Sequence, residues 1–494
     1  MKKIKYIAIA ALGLVACEPE FDNDITDSGF YSTGTANLDN FVAIGNSLTA
    51  GFADGALYVQ GQENSFPNIM ASKFAQAGST QEFSQPLTSD NLGGLLLGGV
   101  QISPNRLVLS ASAPGAGDLA PVILDGTPTT EVSIPLTGTF HNMGVPGAKS
   151  FHLLSPGYGD VGGVPLGLAN PYYARFASSS TATVMGDALA QNPSFFSLWI
   201  GNNDVLSFAT SGGVGEDQTG NLDPATYGPN DITDPTVFAG TLDAIMSSLN
   251  GAGAQGIVCN LPDVTSIPYF TTIPFNSIPM DATTAAGTNA AYAAYNGGLL
   301  AAQGGGFITA DEVAARTINF VEGNNAVVIE DESLTNLAGL GLPNIRQATA
   351  DDFIVLPTLS ILGTLADPAD PTSVIGVGVA LNDGQVLTAN EASMVFAAQA
   401  QYNATLAALA SAYGFDLIDM RALLEDLNVN GVAYNGGTMT SAFATGNGFS
   451  LDGVHPTARG YAYIADQMIE MINNNYGANI PRIDIGEYPG TMIN

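Results

Sequence analysis

Three histidines, His141, His152 and His455, are the imidazole bases this chain has to offer. An imidazole acting as a general base near neutral pH needs its tautomer fixed, and a carboxylate three residues earlier can fold back to accept the Nδ1 proton. His455 has such a partner in Leu451-Asp452-Gly453-Val454-His455-Pro456-Thr457, with Pro456 marking where the loop yields to a helix. Taken alone, Asp-x-x-His describes an exposed loop equally well. A hydroxyl nucleophile is offered by Ser47 in Ile44-Gly45-Asn46-Ser47-Leu48-Thr49-Ala50-Gly51, directly after the apolar run Phe41–Ile44. The carboxyl end of a strand in a parallel sheet is where ligands bind, and Gly45 permits a sharp turn there. On this octapeptide alone Ser47 suits a helix N-cap as well as a nucleophile. No Gly-x-Ser-x-Gly elbow is present, so an ordinary α/β-hydrolase nucleophile has no candidate.

A serine that attacks an ester also needs N–H donors where the carbonyl oxygen becomes negative. Asn142-Met143-Gly144-Val145-Pro146-Gly147-Ala148-Lys149-Ser150 offers a backbone amide at Gly147, and Gly201-Asn202-Asn203-Asp204 offers the side-chain amide of Asn203. Each segment alone is an ordinary turn sequence. The first is not a phosphate loop, because Ala148 stands where glycine must precede the lysine. In this order the four blocks, Gly45–Thr49, the stretch ending at Gly147, 201–204 and Asp452–Pro456, resemble the SGNH or GDSL hydrolases. The resemblance implies Ser47 as nucleophile, Asp452 and His455 as the rest of a catalytic triad, and an oxyanion hole of Ser47 N–H, Gly147 N–H and Asn203 Nδ2. It implies ester hydrolysis without a cofactor, on a flavodoxin-like three-layer α/β sandwich. One departure is Asn46, where the family usually carries aspartate; a second is the length of the chain, which leaves room for long insertions.

The elements that must position these residues follow from periodicity. Phe41–Ile44, Phe195–Ile200, Ile257–Leu261 and Phe415–Ile418 read as short buried strands. Helices are expected from Ser65 to Gln76, from Pro235 with Phe238, Leu242, Ile245, Met246 and Leu249 on one face, over Glu391–Ala412, and over Thr457–Asn473, burying Tyr461, Ile464, Met468 and Ile472. Strands alternating with helices argue for an α/β protein, a parallel sheet flanked by helices on both faces. Two stretches break the rhythm, near 78–136 and 306–388, and are expected to be insertions on one hydrolase domain spanning 38–478, with 479–494 as a C-terminal tail.

Composition places the protein. Of 494 residues 46% are hydrophobic and 12% charged, so a large core can form. Met1-Lys2-Lys3-Ile4-Lys5 and the apolar run to Ala16 form a basic start and a segment too short to span a bilayer, the pattern of an export signal over 1–16. Leu14-Val15-Ala16-Cys17 has the form of a lipobox, which makes Cys17 the expected lipidation site, against an ordinary signal with an incidental cysteine. Residues 17–37, acidic and polar, are expected to tether the domain, resembling the surface lipoproteins of Bacteroidetes. Loss of 1–16 removes three of 12 basic residues and none of 45 acidic ones, leaving nine against 45 and a net charge of −36. Such a balance argues against nucleic acid as a partner, since phosphate contacts need basic patches. The remaining Cys259 cannot form an intramolecular disulfide and reads as a buried thiol. No histidine or cysteine spacing suggests a metal. The expected protein is therefore a lipid-anchored esterase of the bacterial envelope, facing the outer membrane or the exterior, with an ester-bearing lipid or glycan as substrate and the membrane as partner through its anchor. Acyl transfer by the same residues, and non-catalytic binding of lipid or glycan, are the competing readings.

Overall fold

The computed structural model describes residues 29–111 and 119–492. The expected export signal, Cys17 and the tether as far as residue 28 lie outside the described residues. Five short strands form one all-parallel sheet: β1 (Phe41–Gly45), β2 (Asn142–Gly144), β3 (Phe195–Trp199), β4 (Gln255–Cys259) and β5 (Asp416–Ile418), in the order β2-β1-β3-β4-β5. β1 and β3 are buried along their whole length, which demands cover on both faces. That cover comes from α1 (Phe66–Gln76), α2 (Asn203–Thr210), α3 (Pro235–Gly251), α5 (Ala389–Tyr413), α6 (Met420–Val429) and α7 (Ala458–Tyr476), whereas α4 (Ala282–Gly304) belongs to a second core.

Alternation along β3 sorts the layers, because successive side chains leave opposite faces of a sheet. Phe195 meets Phe74 of α1 and Tyr476 of α7, whereas Phe196 meets Phe415 just beyond α5. α1 packs on α7 in one layer and α3 on α5 in the other, where Phe238 stacks on Tyr402 with ring centroids 4.1 Å apart. Each of these buried rings contributes roughly 1.5–3 kcal/mol by leaving water. The fold is thus α/β with helices on both faces of a parallel sheet, as the alternation predicts. Because the strand order reverses between β1 and β3, a crevice opens at their carboxyl ends.

The stretches outside this frame are built structures. Residues 78–136 contain a small three-stranded sheet and the hairpin of Leu107–Ser110 with Ala120–Ile123. The second insertion is longer than expected: its own hydrophobic core runs from Ile273 to Val386 and includes α4. α4 lacks a stripe of large apolar residues, burying only Ala285, Tyr295, Leu299 and Ala302, which is why periodicity does not reveal it. Two arginines are sealed into this core. Arg316 gives its donors to Tyr295 Oη, Thr335 O, Pro343 O and Glu312, and Arg346 is held between Asp331 and Asp352 at 2.6–2.8 Å.

Both expected tails are partly packed. Ala36 is buried, Thr35 N–H donates to Tyr476 O at 2.9 Å, and Ser32 bridges to Asn479, so residues 32–36 belong to the domain. Ile480, Ile483 and Ile485 are buried in the main core as well. Cys259 is free and buried, and burial raises its thiol. No helix among the described residues is long and apolar enough to cross a membrane.

A carboxyl cluster joins the second insertion to α5. Glu391 caps that helix by accepting from Thr388 N–H and Oγ1 at 2.7 and 2.8 Å. Burial, together with the charges of Asp383 and Glu332, outweighs these bonds and lifts Glu391 to about 7, while burial and Glu332 lift Asp383 to about 6. Both bind protons more tightly folded than unfolded, where carboxyls titrate near ~4. Their contribution is therefore fully present below about pH 4 and is lost as pH rises through 6–7. The melting temperature should fall across that window, and Glu391→Gln should flatten the fall. An unchanged slope in a pH series of thermal melts would assign the effect elsewhere.

Candidate active site

At Gly45 the end of β1 passes so close to β3 that any side chain would collide with the Trp199 carbonyl and Thr49. The chain then enters a single helical turn, Ser47–Ala50, whose N-cap is Asn46: its Oδ1 accepts from Leu48 N–H at 3.0 Å. Ser47 is thus the first helical residue rather than the cap, and its hydroxyl is free for another partner. The Asn46 Nδ2 group donates to Asn202 Oδ1 at 3.1 Å, tying this turn to the loop after β3.

The partner of Ser47 comes from the far end of the chain. Ser47 Oγ lies 2.8 Å from His455 Nε2, and His455 Nδ1 lies 2.8 Å from Asp452 Oδ2. Asp452 folds back as the spacing suggests: its Oδ1 accepts from the backbone N–H of Val454 and His455 at 2.9 and 2.8 Å. Gly453 makes the turn with φ of +71°, and a side chain there would come within 2.7 Å of Leu356. Ser450 Oγ and Gly55 N–H add two more donors to Asp452, at 3.1 and 2.9 Å. Burial alone would raise the Asp452 carboxyl, but the His455 charge and these bonds win and hold it at about 2. It therefore stays an acceptor for Nδ1–H throughout the neutral range. Phe52 packs on the imidazole at 4.7 Å between centroids, and Tyr461 of α7 donates to the Phe52 carbonyl at 2.7 Å.

Asn203 opens α2, and its Nδ2 donates to Ala148 O at 2.9 Å, leaving a second N–H for another acceptor. Asp204 beneath it is fully buried and accepts from Ser150 N–H and Oγ at 2.8 and 2.7 Å. These bonds stitch the Gly147 loop to the start of α2. Within the described residues the N–H groups of Ser47 and Gly147 meet no acceptor. The other histidines are elsewhere. His152 accepts from Lys149 N–H, stacks on Tyr158, and is pushed down to about 4 by burial and the neighbouring Lys149. His141 accepts from Ser84 N–H, and burial lowers it too. No group of three or more His, Cys, Asp or Glu side chains is arranged to hold a metal among the described residues.

Comparisons with known proteins add little to this geometry. No protein-family model matches the chain, and no curated protein matches it. Among solved structures, the extracellular lipase of Streptomyces rimosus is similar at a TM-score of 0.27 and 11% identity, over 85% of this chain and 94% of the lipase.

Sequence inspection misses a second carboxylate beside the first. Asp54 reads only as half of an Asp-Gly turn. In the fold its backbone is left-handed, with φ of +54°, and its side chain accepts from Leu451 N–H at 3.0 Å and Tyr58 Oη at 2.9 Å. Its own N–H donates to Ser450 Oγ at 2.9 Å, and the Arg106 guanidinium stands 3.9 Å away. Burial raises this carboxyl, the Leu451 and Tyr58 bonds oppose the rise, and Asp452 adds to it. Asp54 thereby clamps the loop of His455 to the loop of Ser47. Asp54→Gly relieves the backbone yet removes the side-chain bonds, so any ester turnover should fall about tenfold or more, whereas Asp54→Asn, which keeps an acceptor, should lose less. Equal turnover in the glycine variant and the parent protein would remove the clamp from the account.

Proposed function

We propose that the chain is a serine hydrolase of carboxylic esters, of the SGNH type, acting on an acylated lipid or glycan. The observation that supports this best is the unbroken hydrogen-bond series from Asp452 through His455 to Ser47 at the switch point of the sheet. In this reading Ser47 Oγ attacks the ester carbonyl carbon while His455 Nε2 takes the hydroxyl proton. The former carbonyl oxygen, now an anion, is met by Ser47 N–H, Gly147 N–H and the free N–H of Asn203 Nδ2. Collapse of this intermediate breaks the bond to the alcohol, which leaves with the proton from His455. Water, deprotonated by the same imidazole, then releases the acid and restores Ser47. Asp452, ionised throughout, holds the tautomer and balances the imidazolium.

Ser47→Ala and His455→Ala should each abolish nearly all turnover of a nitrophenyl ester without lowering the melting temperature much, and the double variant should lose little more. Asn203→Ala should lower kcat by roughly 10²–10³ with a small change in KM, as for loss of one oxyanion donor. Folded parent protein that turns over no ester rejects the proposal in favour of a binding protein. Products formed with a polyol present separate hydrolysis from acyl transfer.

For location, we propose an envelope lipoprotein anchored through Cys17, supported by Leu14-Val15-Ala16-Cys17 after a short apolar run. Cys17→Ser should shift the protein out of the membrane fraction or leave it unprocessed. Mass spectrometry of a mature protein bearing an unmodified Cys17 would refute the anchor.

A further inference from the structure

Resting on the reading of Ser47 as nucleophile, we infer that the cavity running from Ser47 beneath α6 receives the acyl chain of the substrate and makes the enzyme selective for medium-chain acyl esters. Ser47, Asn203 and His455 line this cavity, which has a volume of about 100 Å³ and opens to solvent. Most of the remaining lining is apolar: Leu206 of α2, Ile267, Leu424 and Leu427 of α6, Met439, and Ile464 of α7. α6 supplies its wall with one stripe, Met420, Leu423, Leu424 and Leu427 at helical spacing, while Glu425 and Asp426 face solvent. Ile464, expected from periodicity to be core, is instead only partly buried because it borders this space.

A cavity whose lining is apolar but for Tyr463 and the hydrogen-bonded groups around Ser47 selects a ligand with the same division. A sugar placed here would leave its hydroxyls without partners, whereas an alkyl chain loses nothing polar on entry. Of the two halves of an ester, the acyl group stays bonded to Ser47 between the two steps and the alcohol departs after the first. The space continuous with Ser47 therefore suits the half that remains. An acetyl group would leave nearly all of the apolar wall uncovered. A longer chain covers it, and each added methylene is worth about a threefold to fourfold gain in kcat/KM while the cavity still has room.

The test compares two substrate series with the whole protein. In nitrophenyl esters of acetate, butyrate, hexanoate and octanoate only the acyl half varies; in ethyl, butyl and hexyl acetates only the alcohol varies. kcat/KM should rise about 10²-fold or more from acetyl to octanoyl and change little along the alcohol series. Leu427→Trp, which fills the cavity from α6, should reduce the octanoyl-to-acetyl ratio by about tenfold or more. Val429→Trp, at a position on the same helix that is 75% exposed, should leave the ratio alone. Should Leu427→Trp fail to melt cooperatively, Ile464→Phe fills the same space from α7 and is read the same way. A flat acyl series, a length dependence found in the alcohol series instead, or a ratio unmoved by filling the cavity each overturns the assignment while leaving the ester hydrolase intact. Parent protein that hydrolyses neither series overturns the underlying reading as well.

Discussion

A single hydrogen bond, Ser47 Oγ to His455 Nε2, joins residues 408 apart in sequence, and most of the surrounding structure serves to hold its two ends in register. In the catalytic role proposed for this pair, a shift of about 1 Å costs roughly 10²-fold in rate, so neither loop can be left to position itself. The Ser47 end is fixed by the sheet: β1 lies between two parallel neighbours, and Gly45 lets it come tight against Trp199. The His455 end stands on α7, which packs against α1, downstream of the Ser47 turn and of the short helix Val59–Glu63. Between the two ends run direct ties: Gly55 to Asp452, Asp54 to Leu451 and Ser450, and Tyr461 to Phe52. Closing so long a loop is entropically costly mainly once, and these short bonds share that one closure.

The two insertions act at the same place. From the first, Leu107 N–H donates to the Asp54 carbonyl at 2.8 Å and Arg106 reaches the Asp54 carboxylate and lies over the Tyr58 ring. At the edge of the second, Tyr269 N–H donates to Gly453 O at 2.9 Å, Tyr269 Oη donates to Thr210 O at the end of α2, and Leu356 fills the space beside Gly453. One insertion braces the loop after Ser47, and the other braces the turn between Asp452 and His455. Segments that look like decoration on a minimal sheet are therefore mechanically coupled to the site. The second one has a core of its own, with the donors of Arg316 and Arg346 satisfied inside it.

How much of this could be read beforehand follows from the range of each signal. The buried runs at 41–45, 195–199 and 255–259, and the periodic faces of α1, α3 and α7, are local patterns and emerge directly. So do the segments that carry Ser47, Asp452, His455 and Asn203, because each is a short turn with distinctive residues. β2 is three residues ending in glycine and looks like a turn until Ala43–Gly45 pairs with it. α4 is hidden by alanine and glycine, whose helical stripe has no hydrophobic contrast. Asp54 is hidden for another reason: the partners that tie it to the His455 loop, Ser450 and Leu451, lie 396 and 397 residues away, and an Asp-Gly pair announces only a bend. The packing of residues 32–36 is likewise settled by Tyr476 and Asn479, not by its own polar composition.

Asn46, where the resembled pattern carries aspartate, shows what an amide does at this position. The position is 1% exposed, on a chain already strongly acidic, with the ionised Asp452 bound to the neighbouring loop. An aspartate here could cap the Ser47 turn through the bond to Leu48, but its second oxygen would face Asn202 Oδ1 without a proton to share. A buried charge in that setting needs a donor or a counter-ion of its own. The amide supplies both functions at once, an acceptor for Leu48 N–H and a donor to Asn202, and Asn202 is the residue immediately before Asn203. The neutral side chain thus couples the turn that presents the hydroxyl to the loop that presents the amide. Replacing it by aspartate would strengthen the cap electrostatically while breaking that coupling, unless the Asn202 amide turned over to offer its own N–H.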